Sequence, residues 1–155
     1  MLSKRVQDSF TTQIQILMPD HINGQSRMFG GRIMEWLDVV AAVVARRHSG
    51  CEVTTACVDS VAFLAPAYVN STVIIEGRMT YVGNTSMEVR VDAFTESLSG
   101  VRKQITKAYF VLVALDEAEK PITVPRLICE TEEEKAEFEN GKKRAQIRAE
   151  LRAMQ

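Results

Sequence analysis

Residues 33–45 constrain this chain more than any other stretch. Met34, Trp36, Leu37, Val39, Val40, Ala41, Ala42, Val43 and Val44 crowd together with no Gly or Pro, and only Glu35 and Asp38 carry charge. The length of the run suits a helix rather than a strand. Gly30-Gly31 open it, and Arg46-Arg47-His48 place cations at its carboxyl end, where the helix dipole favours them. Gly50 suits the exit. A helix that is apolar nearly all round is expected to be buried on most sides, so other elements have to wrap it.

Those elements read as strands. Phe10, Thr12, Ile14, Ile16 and Met18 alternate with Gln13 and Gln15, which predicts a half-buried strand ended by Pro19. Asn23-Gly24 marks a turn. Residues 53–64 are mostly apolar or small. Val73, Ile75, Gly77, Met79 and Tyr81 alternate with Glu76, Arg78 and Thr80; Met87, Val89, Val91 and Ala93 alternate with Glu88, Arg90 and Asp92. These two segments read as antiparallel strands with one wet face, joined at Gly83-Asn84. Gly100 marks a further turn, and 105–115 is apolar enough to be central. No crossover helices separate these strands, so an α+β fold is expected: a curved antiparallel sheet of five or six strands around one long helix.

After the extended 121–125 connector, Thr131-Glu132-Glu133-Glu134 has capping-box spacing and starts a final helix. Its acidic residues lead and its basic ones (Lys142, Lys143, Arg144, Arg148, Arg152) trail, as the dipole prefers. Asn140-Gly141 is a candidate break. The plain expectation is a solvated helix laid on the surface; the alternative is a basic end that meets phosphates or a neighbouring subunit. The 155 residues suit one folded unit, divided here as a domain over 1–125 and a helical extension over 126–155.

Composition narrows the function classes. A net charge of −1 supplies no basic field for nucleic acid. No apolar run reaches the ~18 residues of a membrane span, and the polar first residues show no hydrophobic signal region. Three cysteines, Cys51, Cys57 and Cys129, lack metal-site spacing and fit reduced thiols in a cytoplasm.

Among residues that can carry chemistry, Asp38 stands out because it interrupts the apolar helix. An unpaired carboxylate there is costly, so it is expected to gain a partner or a raised pKa, and either fits a general base or nucleophile. A structural acid bonded to a neighbouring strand is an equal alternative. Glu35, one turn earlier, is better read as a charge near the helix start. The loop 23–31 feeds a helix amino terminus whose free N–H groups suit an oxyanion, and Gly30 and Gly31 let a ligand approach the backbone. His48 reads as a helix-terminal cation, Cys57 as a buried inert thiol. No G-x-S-x-G, Walker A, G-x-G-x-x-G or H-E-x-x-H motif is present.

Three separated motifs, Phe29-Gly-Gly-Arg-Ile-Met-Glu-Trp-Leu-Asp38, Val58-Asp-Ser-Val-Ala-Phe63 and Val82-Gly-Asn-Thr-Ser-Met-Glu-Val89, resemble the hotdog-fold acyl-CoA thioesterases of the bacterial and brain-type acyl-CoA hydrolase family. The resemblance runs from about residue 10 to 125. It implies a hotdog fold, dimers joined sheet edge to sheet edge, hexamers built as trimers of dimers, and sites at the dimer interface. It implies hydrolysis of an acyl-CoA thioester to a free acid and coenzyme A, in fatty acid metabolism. Its catalytic carboxylate falls on Asp38, and its catalytic loop asparagine, acting from the facing subunit, most nearly falls on Asn23. Backbone N–H groups of Gly30 and Gly31 would polarise the thioester oxygen. Thr54 and Ser60 would orient water or acid, Phe63 would line the acyl pocket, and Gly83, Asn84, Thr85 and Ser86 would lie near coenzyme A. No metal or cofactor is implied, coenzyme A being part of substrate and product. Two departures from the family pattern, Gln25-Ser26 in the loop and Val39 after the aspartate, are what would favour a non-catalytic acyl-CoA sensor; a dehydratase would want a histidine in the site.

Overall fold

The computed structural model describes residues 2–155; Met1, first in the expected 1–125 domain, lies outside them. A five-stranded sheet is built from β2 (Thr11–Ile16), β3 (Glu52–Phe63), β4 (Thr72–Val82), β5 (Ser86–Glu96) and β6 (Arg102–Leu115). The strand order is β2-β4-β5-β6-β3, and every pairing is antiparallel. Helix α2 (Gly30–Ser49) lies across it: Leu37, Val40, Ala41 and Val44 are fully buried against Val73, Ile75, Met79, Val89, Phe110 and Leu112. This is the hotdog fold. Gly77 allows the closest approach, since a methyl there would meet Val40 at 2.7 Å. The exit is as expected, with Gly50 in the left-handed region (φ 69°) and its N–H donating to Arg46.

The helix is not wrapped on most sides within one chain. Its buried residues fall on the sheet-facing side, while Val39 is 57% exposed. Strand β2 also departs from expectation. Gln13 and Gln15 pair with the buried Ile75 and Val73, so the glutamines point to the helix side, and Ile14 and Ile16 point outward, 64% and 53% exposed. Alternation defined two faces correctly, but at a sheet edge the apolar one was not the inner one.

The first residues form short elements that the sequence did not signal, β1 (Ser3–Arg5) and α1 (Val6–Ser9). β1 pairs in parallel with β7 (Arg126–Ile128), and Lys4 Nζ donates to the Arg47 carbonyl, tying this two-stranded ribbon to the end of α2. His48 is fully buried and its Nε2–H donates to the Pro125 carbonyl at 2.9 Å. Burial drives its pKa below the ordinary value, so it is a neutral tether and not the expected cation.

Helix α3 (Glu132–Ala153) runs unbroken through Asn140-Gly141 across the outer sheet face. Thr131 Oγ1 accepts from the Glu134 N–H, while Glu134 reaches back to the Glu130 N–H. Gly141 is its one buried residue, because a methyl there would meet Tyr81 Cβ at 2.6 Å. Two residues of the basic end, Arg144 and Arg148, are not free either. Glu88, 1% exposed on β5, accepts from Thr80 Oγ1 (2.7 Å), from Arg144 twice (2.8 and 3.1 Å) and from Arg148 (3.1 Å). Arg144 also stacks 3.7 Å over the Tyr109 ring. Burial works against the Arg144 charge, but the Glu88 bonds outweigh it and hold the guanidinium above its ordinary pKa. Arg90 is likewise bound to Asp92 and Glu137.

Candidate active site

Asp38 sits half-buried on α2, flanked by fully buried Leu37 and exposed Val39. Its partner comes from the edge strand: the Thr55 hydroxyl donates to Asp38 Oδ1 at 2.7 Å. Asp38 thus gains the partner expected for a carboxylate in an apolar helix, through a hydrogen bond at the boundary of the core.

Thr55 makes this contact and Thr54 does not. Thr55 pairs with Leu112, whose side chain is buried against the helix, whereas Thr54 pairs with Val113 on the other face. Two adjacent threonines carry no sequence signal to choose between them; only the register with β6 does. Further along β3, register shifts at 55/57 and 59/62 interrupt the alternation. Ser60 lies in the second, with φ 53°, and its hydroxyl donates to Asp59 at 3.4 Å, so it does not stand with Thr54 on a continuous face toward Asp38.

At the opposite end of β3, Phe63 meets the start of α2, where a methyl on Gly30 would lie 4.0 Å from its ring. Gly30 and Gly31 open the helix; Phe29 is its N-cap residue without a side-chain cap, and the first N–H groups have no acceptor earlier in the helix. A cavity of about 420 Å³ lies here, lined by Asn23, Arg27, Gly30, Ile33, Phe63 and Ile105 among others. Asn23 folds the loop: its Oδ1 accepts from the Gln25 and Arg27 N–H groups at 2.9 and 3.3 Å. Ser26 takes φ 62°, a left-handed conformation that glycine adopts without strain. Asp38 is not among the cavity's lining residues; it stands eight positions, about 12 Å, along the helix from Gly30.

The turn Gly83-Asn84-Thr85-Ser86 occupies the other end of the sheet, where Gly83 N–H donates to Ser86 O. Arg126, which the sequence reading missed, fastens it by donating to the Gly83 carbonyl at 2.6 Å. One chain thus brings Asp38 to Thr55, and Asn23 to Gly30 and Phe63, and leaves the turn apart. Among the described residues no cluster of His, Cys, Asp or Glu is grouped to hold a metal ion, and no helix is long and apolar enough to cross a membrane.

Known proteins share this fold and sequence pattern. Residues 25–101 match the model of the Thioesterase superfamily. An uncharacterized acyl-CoA thioester hydrolase of Bacillus subtilis, YkhA, is 40% identical over 76% of this chain and 69% of its own length. The cytosolic acyl coenzyme A thioester hydrolase of Rattus norvegicus is 35% identical over 88% of this chain, which spans only 36% of that longer relative. The crystal structure of an apo-hexameric acyl-CoA thioesterase superposes with a TM-score of 0.95 at 35% identity, over 100% of both chains. The acyl-CoA hydrolase of Staphylococcus aureus, in complex with butyryl coenzyme A, coenzyme A and coenzyme A disulfide, superposes with a TM-score of 0.93 at 30% identity, over 98% of this chain and 93% of that one. Variants of that enzyme with one aspartate, one threonine or one asparagine changed to alanine match at 29% identity, with TM-scores of 0.94, 0.93 and 0.94, over 98–99% of this chain and 92–95% of theirs. With its hotdog fold, its helix-borne carboxylate and these relatives, the chain belongs to the Thioesterase superfamily.

Proposed function

We propose that this protein hydrolyses acyl-CoA thioesters to a free carboxylic acid and coenzyme A, with Asp38 as the catalytic carboxylate. The observation that carries the assignment is the Asp38–Thr55 hydrogen bond, which fixes one carboxylate oxygen and leaves the other for a water molecule or the thioester carbon. The substituted residues of the S. aureus variants support it: asparagine, aspartate and threonine there follow one another at the intervals that separate Asn23, Asp38 and Thr55 here.

As general base, Asp38 takes a proton from water, whose oxygen attacks the thioester carbonyl. The N–H groups of Gly30 and Gly31, at the positive end of α2, hold the developing oxyanion. Collapse breaks the C–S bond, and the proton leaves with the coenzyme A thiol. Asn23 shapes and orients the loop over the acyl group, and Phe63 lines the acyl pocket. The Gly83–Ser86 turn, at the far end of the sheet, faces coenzyme A. The reading invokes no resident metal or cofactor.

Because Asp38 does not line the Asn23–Gly30–Phe63 cavity of its own chain, the reading places the complete site at a seam between two copies. The free edge of β3 supports this: it is a long unpaired strand edge with Val58 and Phe63 40% and 62% exposed, a template for another strand. A hexameric neighbour supports assembly beyond the dimer, which this reading takes as a trimer of such dimers. Cytoplasmic residence is supported by three free cysteines and by the cytosolic rat relative, and release of fatty acid from coenzyme A fits fatty acid metabolism.

The test is thiol release from a panel of short, long and branched acyl-CoA esters. Asp38→Asn and Asp38→Ala should each lower kcat at least about a hundredfold with the fold retained. Unchanged turnover in both would remove Asp38 from the mechanism. Intact acyl-CoA that stays bound to the wild type, seen by mass spectrometry, would make the protein a sensor instead.

A further inference from the structure

We infer that Arg148, on the outer helix, is a positioning residue that sets the acyl pocket from the opposite face of the sheet, acting through Asp59 on Phe63. The inference rests on the thioesterase reading above.

The chain of contacts begins at the second irregularity of β3. Asp59 pairs with Tyr109, and Ala62 pairs with Lys107, so β3 carries one residue more than β6 between those pairs. The extra residue reverses which side each later side chain takes. Without it, Phe63 would fall on the outer face with Asp59; with it, Phe63 pairs with Thr106 and its ring stands at the start of α2 in the cavity wall. The pocket wall thus exists because of this bulge.

The bulge is not a relaxed conformation. Ser60 has φ 53°, which a residue with a side chain adopts only when its surroundings enforce it. One oxygen of Asp59, Oδ1, accepts from the Ser60 hydroxyl at 3.4 Å, and the other, Oδ2, accepts from Arg148 Nη1 at 3.2 Å. Arg148 is 11% exposed and anchored in turn on the buried Glu88. The apolar contact of α3 is made by Phe138 on Tyr81 of β4, away from the edge strand, and its side-chain bond to β3 is this ion pair. At a free edge, nothing else in the chain's own hydrogen-bond ladder restrains the outer side of Asp59 and Ser60.

Arg144 supplies the control. It holds α3 through the same Glu88 but does not touch Asp59. Arg148→Met and Asp59→Asn should each raise KM for long acyl-CoA about tenfold, the scale on which a small displacement of a positioning contact acts, with kcat on the shortest ester unchanged. The double variant should be no worse than either single one, Arg148→Lys should restore most of the loss, and Arg144→Met should leave the chain-length profile alone. An unchanged profile in both Arg148→Met and Asp59→Asn, or an equal shift in Arg144→Met, overturns the proposal. A second readout separates this from failure of the thioesterase reading. With fluorinated phenylalanine incorporated and the Phe63 resonance assigned by Phe63→Leu, the ¹⁹F signal of Phe63 should move in Arg148→Met and stay in Arg144→Met, whether or not the wild type cleaves acyl-CoA. A stationary Phe63 signal in Arg148→Met refutes the coupling on its own.

Discussion

The Thr55 hydroxyl and the Asp38 carboxylate meet at 2.7 Å across the gap between the edge strand and the central helix. Removing the hydroxyl at constant shape leaves the carboxylate free to turn away from the thioester. Thr55→Val should therefore lower kcat about ten- to a hundredfold with KM little changed, and Thr55→Ser should retain most activity. Thiol-release kinetics on the same ester measure both.

Gly141 sets helix propensity against packing. Ala at mid-helix is intrinsically better than Gly by about 1 kcal/mol. Its methyl, however, would meet the Tyr81 Cβ at 2.6 Å and Glu88 Oε1 at 2.9 Å. Forcing α3 off the sheet costs about 1–3 kcal/mol and disturbs the Glu88 ion pairs as well. The net expectation is destabilisation, so Gly141→Ala should lower Tm in a thermal melt; a raised Tm would mean the helix shifts freely.

Glu88 is buried with two arginines around it. Glu88→Gln keeps the volume and one acceptor for Thr80 but leaves Arg144 without its counter-ion. Breaking such a pair from one side costs about 3 kcal/mol or more, which should appear as a lower urea midpoint. Because the lost term is the stranded cation, Glu88→Gln combined with Arg144→Met should recover part of it.

His48 makes stability depend on pH. Burial is the largest cause of its lowered pKa in the folded state, and the bond to the Pro125 carbonyl offsets it only in part. The unfolded chain then binds a proton that the folded chain does not. Stability is full above the ordinary histidine pKa of about 6.5 and falls as pH drops below it, by up to about 1.4 kcal/mol per pH unit until the folded value is reached. Denaturant midpoints between pH 7.5 and 5 should show this slope, and His48→Gln should flatten it.

Much of this protein was legible in its linear order. The unbroken apolar run at 33–45 required a helix, and the alternation over 73–81 and 87–93 required antiparallel strands without crossovers, because period and turn chemistry are local properties. Asp38 was conspicuous for the same reason, as one charge in that run, and the motifs around Phe29, Val58 and Val82 pointed to the family. What stayed hidden depends on register and on what lies across a sheet. The choice of Thr55 over Thr54 turns on pairing with Leu112. The inward turn of Phe63 depends on one extra residue at Ser60. The outward face of Ile14 and Ile16 follows from edge position, and the neutrality of His48 from burial beneath Pro125. The basic residues of α3 looked free along the chain, yet Arg144 and Arg148 are bound to Glu88, a residue more than fifty positions away. Side-chain periodicity names two faces of a strand or helix; only packing in three dimensions decides which face meets the core, which meets water and which charges find each other.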